Sequence, residues 1–308
     1  MWAPERYEKH EMGPTAPTAD TAPLRKRRGW RRRLMWLAVG TLICYLGVLV
    51  VLMALENWLV YYPTPASQEW HEPPNARVQD IELKSADGTR IHAWWCPVAG
   101  ARGALLYCHG NAGNLSQRAG SVAGLQHILT ESVLIFDYPG YGKSGGKPSE
   151  AGCYAASEAA YQWLVDKQQI PPERILLYGG SLGGGVAVDL ASRRPCRALV
   201  LVKTFTSMPD VAARMYRWLP VRWLMRNRFD NLEKIGKCRR PVFMAHGTTD
   251  RLVPYDQGQR LFEAAHEPKM FFRMGGVDHN DAVPATMFTA LVQFLDRHAP
   301  LTGGPRAD

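Results

Sequence analysis

Gly179-Gly180-Ser181-Leu182-Gly183 closes the apolar run RILLYG, which begins at Arg174, and leads into a helix-compatible stretch, AVDLAS. A serine flanked two residues away on each side by glycine, at a turn from strand to helix, sits in a strained and exposed position. Only glycine lets the two elements approach there without a Cβ clash. Asp250 follows in AHGTTDRLVP and His279 in GGVDHND, each just beyond another β-rich run. The order serine, acid, histidine supplies a nucleophile, a base and a carboxylate to orient the base, which is the requirement for covalent acyl transfer. An Asp in a turn or a His in a loop is ordinary when alone. The ordered trio on matching strand ends makes Ser181, Asp250 and His279 the candidate catalytic residues. Asp278 is a rival acid, but as the immediate neighbour of His279 it is badly placed to meet imidazole Nδ1, and it reads as ordering the loop.

The run Cys108-His109-Gly110-Asn111-Ala112-Gly113-Asn114 follows a strand, ALLYC. Acyl transfer needs two N–H donors aimed at the developing oxyanion, one from a loop in this place and one from the residue after the nucleophile. The backbone amides of Asn111 and Leu182 are therefore the candidate oxyanion hole. His109, at the start of the loop, reads as shaping the turn rather than as a base. Asn114-Leu115-Ser116 matches a glycosylation sequon, but a helix-capping role fits its place better. DYPGYGKSGG offers Gly140-x-Gly142-x-x-Gly145 and Gly142-Lys143-Ser144, partial matches to dinucleotide and P-loop fingerprints. Asp137 stands where a P-loop needs glycine, and Gly146 and Pro148 intervene where a dinucleotide loop should open into a helix, so a structural loop is expected. No two histidines have helical metal-site spacing, and the six cysteines are spread singly without CxxC. Neither a metal nor a cofactor is expected.

These residues need a scaffold that brings distant strand ends together. RVQDIEL and RIHAWWCPV flank an Asp87-Gly88 turn and read as a hairpin. ALLYC (104–108), VLIFDY (133–138), RILLYG (174–179), ALVLV (198–202), PVFMA (241–245) and KMFFRM (269–274) follow, mostly separated by stretches of helical length such as Ser149 to Lys167 and Tyr255 to Ala265. Apolar strands alternating with helices indicate an α/β fold: a mostly parallel sheet with helices on both faces and the hairpin at one edge. In such a sheet Ser181, Asp250 and His279 all fall at the carboxyl edge, where ligands bind. Lys203 to Arg240 interrupts the rhythm and reads as an inserted cap with two helices, VAARMYRWL and VRWLMRN. Its Trp218, Trp223, Leu219, Leu224 and Met225 are expected to pack on the domain while its arginines are solvated; contact with a lipid headgroup layer is the second reading.

The chain has 308 residues and a formal net charge of +9, but residues 1–33 alone carry a surplus of five positive charges. A nucleic-acid-binding globular surface is therefore not indicated. Pro14 to Pro23 is a Pro/Thr/Ala stretch expected to be disordered. Seven cations between Arg25 and Arg33 precede 22 uncharged residues, Leu34 to Leu55. That length spans about 33 Å as a helix, enough to cross a hydrocarbon core. Trp36 at one end and Trp58, Tyr61 and Tyr62 at the other suit the interfaces. A signal peptide has a shorter apolar region and a small-x-small cleavage site, and MALENW is a poor one. A retained anchor is expected, with the N-terminus cytoplasmic and the rest on the other side, periplasmic or luminal/exterior.

HGNAGN, DYPGYGKSGG, GGSLGG, HGTTDRLVP and DHND, in this order, resemble the α/β-hydrolase superfamily, and specifically its membrane-anchored serine hydrolases with an HGN oxyanion loop. The likeness runs from about Val78 to His298. It implies an α/β-hydrolase fold, a triad of Ser181, Asp250 and His279, and a small cap between the sixth and seventh core strands. The expected organisation is a disordered basic arm (1–33), a transmembrane anchor (34–56), a neck (57–76), a hydrolase domain (77–300, cap 203–240) and a flexible tail (301–308). The expected activity is hydrolysis of lipid, lysophospholipid or small acyl esters, with the membrane as the one other partner. Cleavage of protein or acyl thioesters is the first alternative. An exopeptidase and an inactive binding protein follow it; the first lacks a gating domain and the second would not need a complete triad.

Overall fold

The computed structural model describes residues 1–3, 5, 13 and 26–301. Pro14 to Pro23 and the tail after 301, both expected to be flexible, lie outside the described residues. The chain divides into two compact units, Met1–Val50 and Val51–Asp308. The helix α1, Lys26–Ala54, begins in the first of them. The last eight residues of the expected arm, 26–33, are thus helical, because a run rich in Lys and Arg propagates a helix well. From Gly29 to Ala54 the helix is long and apolar enough to cross a membrane.

The second unit starts with a short helix, α2 (Glu56–Val60), and a two-residue strand, β1 (Tyr62–Pro63). A hairpin follows, β2 (Gln79–Lys84) and β3 (Arg90–Cys96), closing at Gly88 with φ 84°. Next come β4 (Ala104–Cys108), β5 (Ala112–Gly113), α3 (Ala119–Leu129), β6 (Ser132–Phe136) and α4 (Glu150–Asp166). The chain continues through β7 (Ile175–Gly180), α5 (Leu182–Arg193) and β8 (Ala198–Val202). Three short helices, α6 (Met208–Met215), α7 (Val221–Leu224) and α8 (Asn231–Ile235), fill the interruption. β9 (Val242–Gly247), α9 (Tyr255–Ala264), β10 (Lys269–Met274) and α10 (Ala285–His298) complete the fold.

Eight strands form the main sheet in the order β10-β9-β8-β7-β4-β6-β3-β2. β3 is antiparallel to both neighbours, and the pairings from β6 to β10 are parallel. Alternate residues of each central strand point to opposite faces, so Leu105 packs with Val122, Leu125, Leu291 and Phe294 of α3 and α10, whereas Leu106 packs with Ala156, Ala160, Val186 and Leu190 of α4 and α5. Burial on both faces is why these strands read as unbroken apolar runs. Ser149 caps α4 by accepting a hydrogen bond from the Gly152 N–H at 3.1 Å.

The cap lies between β8 and β9, the sixth and seventh strands of the main sheet in chain order. Its helices differ from expectation. α6 starts at Met208 because Ser207 caps it through the Asp210 N–H at 3.2 Å with Pro209 in the first turn. α7 stops at Leu224 because two carboxyl groups draw the following backbone away. Glu56 accepts from the N–H groups of Arg226 and Asn227, and Glu150 from those of Arg228 and Phe229, at 2.6–3.1 Å. Leu219 is buried as expected, whereas Trp218 and Trp223, also expected to pack on the domain, stand largely exposed.

The neck is more than a connector. Val60 and Tyr61 are buried in the core, and β1 pairs with β5 in parallel. Tyr62 N–H donates to the Asn111 carbonyl at 3.3 Å and Thr64 N–H to that of Gly113 at 3.2 Å. Asn114, fully buried, donates from Nδ2 to the carbonyls of Thr64 and Glu69 and caps the next turn with Oδ1, so its sequon is inaccessible. The loop after β4 has backbone groups without a strand partner of its own, and the neck satisfies them.

Candidate active site

Ser181 links β7 to α5 with φ 51° and ψ −121°, a backbone conformation that a non-glycine residue adopts only under constraint. Its N–H is held by the Val202 carbonyl at 3.0 Å, and Thr204 Oγ1 donates to its carbonyl at 2.9 Å. A Cβ at Gly183 would lie 2.0 Å from the Cys108 carbonyl oxygen, and one at Gly179 2.4 Å from that of Gly183. The two flanking glycines are therefore demanded by close approach of backbone to backbone.

His279 Nε2 lies 3.0 Å from Ser181 Oγ, and its Nδ1 lies 2.8 Å from Asp250 Oδ2. Asp250 Oδ1 accepts the N–H groups of Leu252 and Val253 at 3.1 and 2.7 Å. Burial opposes ionisation of Asp250, but hydrogen bonds from His246, His279 and Val253 outweigh it and hold the carboxyl well below the usual range. Asp278 does not reach the imidazole with its carboxylate. That group accepts from Arg251 N–H and His279 N–H and pairs with the Arg251 guanidinium. These donors lower its pKa to about 2, with the Arg251 N–H the largest cause.

Leu182 is the first residue of α5, where an N–H has no partner within the helix and the dipole favours an anion. Gly110 stands against the nucleophile: a Cβ there would be 3.7 Å from the Ser181 Cβ. His109 Nδ1 donates to the Gly110 carbonyl at 2.7 Å. Because a trans peptide sets its C=O and N–H in opposite directions, that bond fixes the direction of the Asn111 N–H. Tyr141 Oη donates to the Asn111 carbonyl and Asn111 Nδ2 to that of Val60, at 2.7 and 3.0 Å, so the residue is held on three sides. The glycine-rich loop after β6 serves as a buttress here, in line with its reading as structural. Among the described residues no group of His, Cys, Asp and Glu is arranged to hold a metal ion.

Residues 103–234 match the family model of the alpha/beta hydrolase fold. An uncharacterized protein of Mycobacterium tuberculosis is 39% identical over 262 residues, 83% of this chain and 92% of that protein. Alpha/beta hydrolase domain-containing protein 17B of Xenopus laevis is 32% identical over 233 residues, 73% of this chain and 77% of that protein. The chain belongs to the α/β-hydrolase superfamily. Among solved structures, an esterase of Pyrococcus furiosus superposes with a TM-score of 0.63 at 18% identity, covering 78% of this chain and 98% of that one. That likeness speaks for the fold.

Three contributors to this α/β-hydrolase site escaped the sequence reading. Lys203, directly after β8, has φ 51° and donates from Nζ to the carbonyls of Asp278, His279 and Asp281 at 2.7–2.9 Å. Burial lowers its pKa, against the opposing pull of Asp250, Asp281 and Asp278. It ties down the loop that carries His279, and its place on the carboxyl edge of a parallel strand is the signal that had already picked out Asp250. His246, buried in β9, donates from Nε2 to the Val253 carbonyl at 2.8 Å and sits 3.4 Å from Asp250 Oδ2. Asp137, fully buried, accepts from Leu115 N–H at 2.8 Å and faces His109 Nε2 at 3.5 Å. Burial opposes its ionisation, but His109, His92 and Leu115 hold it below the usual range.

Proposed function

We infer that the protein is a membrane-anchored serine hydrolase that cleaves acyl esters through an acyl-enzyme, without a metal or cofactor. The observation that carries this is the continuous hydrogen-bond path from Ser181 Oγ through His279 to Asp250, at 3.0 and 2.8 Å, beside the N-terminus of α5. Ser181 Oγ attacks the acyl carbonyl as His279 Nε2 takes its proton. Asp250 keeps the Nδ1–H tautomer and stabilises the imidazolium. The carbonyl oxygen, now anionic, meets the N–H groups of Asn111 and Leu182, donors that need no reorganisation as charge develops. The tetrahedral adduct collapses as His279 returns the proton to the departing alcohol. Water activated by the same imidazole then frees the acid and restores the serine.

The basic run at the start of α1, ahead of its apolar stretch, supports a cytoplasmic N-terminus with the hydrolase domain across the membrane, a location that favours lipid or small acyl esters over thioesters on cytosolic proteins. Turnover of a short p-nitrophenyl ester by the full chain tests the chemistry. Ser181→Ala and His279→Ala are each expected to lose on the order of 10⁶ in kcat, alike because the members act as a unit. Substantial turnover by folded Ser181→Ala protein overturns the mechanism.

A further inference from the structure

Residues 211–229 of the cap hold five arginines and no carboxylate. Arg214, Met215, Tyr216, Arg217 and Trp218 are exposed in unbroken succession, and Arg222 and Trp223 are exposed after them. Trp223 is 88% and Trp218 62% exposed, which is costly for the largest apolar side chains unless something covers them. Three arginines meet carboxylates: Arg222 with Asp210 at 3.0 Å, Arg214 with Asp256 at 3.6 Å and Arg228 with Asp230 at 2.8 Å. Arg217 and Arg226 meet none among the described residues, so the face keeps positive charge.

Its attachment sets its location. Glu56, two positions past the end of α1, accepts the N–H groups of Arg226 and Asn227, and Asn227 Nδ2 donates to the side chains of Glu56 and Asn57. Trp223 is three residues from Arg226, a reach of at most about 11 Å along the chain. The face is thus pinned where the chain leaves α1, next to Leu55 and Trp58, which are themselves exposed.

We propose that this face of the cap docks on the headgroup layer of an anionic phospholipid bilayer, on the leaflet from which α1 emerges. Tryptophan and methionine enter the boundary between headgroups and acyl chains, and the arginines meet phosphodiester groups. The inference rests on α1 being an anchor.

The full chain, in a Cys44→Ser background, is labelled with an environment-sensitive nitrobenzoxadiazole at Trp223→Cys or, at the opposite end of the sheet, at Glu173→Cys. It is reconstituted in vesicles of phosphatidylcholine with phosphatidylglycerol that carry lipids spin-labelled near the headgroup. Emission from position 223 is expected to shift to the blue and to be quenched roughly twofold or more, with position 173 unaffected. Arg217→Gln with Arg226→Gln, or omission of phosphatidylglycerol, should relieve that quenching. Equal emission and quenching at the two positions, with the chain retained after an alkaline wash, overturns docking alone. Release of the chain by the wash overturns the anchor and the docking with it.

Discussion

Asp278 is the immediate neighbour of His279 and Asp250 lies 29 residues away, yet only the distant carboxylate meets imidazole Nδ1. Asp250→Asn is expected to cost on the order of 10⁴ in kcat, the loss typical when the tautomer is no longer held. Asp278→Asn, which only loosens the tie to Arg251, should cost far less; steady-state kinetics of both variants ranks them, and the reverse order would reassign the acid. The same carboxyl has a pH consequence. Its folded pKa lies below the unfolded value of about 3.9, so its contribution to stability is complete above roughly pH 5 and is lost as pH falls through the folded value. Acid unfolding followed by circular dichroism should be less steep in Asp250→Asn. Lys203→Met removes three hydrogen bonds from the carbonyls around His279 and is expected to lower kcat roughly 100-fold with little change in KM, because a misplaced base is felt in the transition state. Ser181, Asp250 and His279 were legible because each sits in a short motif at a strand end. Lys203 was not, since a lysine after an apolar strand carries no motif and its partners are carbonyls.

At the level of elements, the strands were readable because burial on both faces leaves unbroken apolar runs, and α4 because Ser149 announces its start. β1 and β5 were not, being two residues each with no periodicity to detect. What joins them is the need to satisfy the backbone of the loop after β4, a long-range demand invisible in either segment. The cap helices were misplaced for a similar reason: Glu56 and Glu150, far away in sequence, decide where α7 ends. Glu56→Ala strands the buried Asn227 N–H and is expected to lower the unfolding free energy by about 2–3 kcal/mol, with Glu56→Gln less harmful because one acceptor survives. Urea denaturation of the detergent-solubilised chain measures the difference. If the two variants match wild type, Glu56 does not hold the cap backbone in place.

For the whole molecule, α1, long and apolar enough to cross a membrane, is followed without a spacer by a neck that is part of the α/β-hydrolase fold. Neck, cap and the loop after β4 thereby share a hydrogen-bonded junction at residues 56–66 and 226–229. Reporters fused after Asp308, one active only in the cytoplasm and one only outside it, test the proposed topology. Activity of the outside reporter is expected. Activity of the cytoplasmic one alone would reverse the orientation and move protein thioesters ahead of lipid esters as substrates.

The claim on which the rest depends is that Ser181 is a nucleophile activated within the intact, membrane-bound chain. A fluorophosphonate probe applied to membranes carrying the full-length protein reads this directly, since it phosphonylates only a serine with an engaged base. Stoichiometric labelling of the wild type on the peptide that contains Ser181, with none in folded Ser181→Ala and strongly slowed labelling in His279→Ala, is the result predicted. Labelling that persists in Ser181→Ala, or a wild type that stays unlabelled while folded, would contradict it.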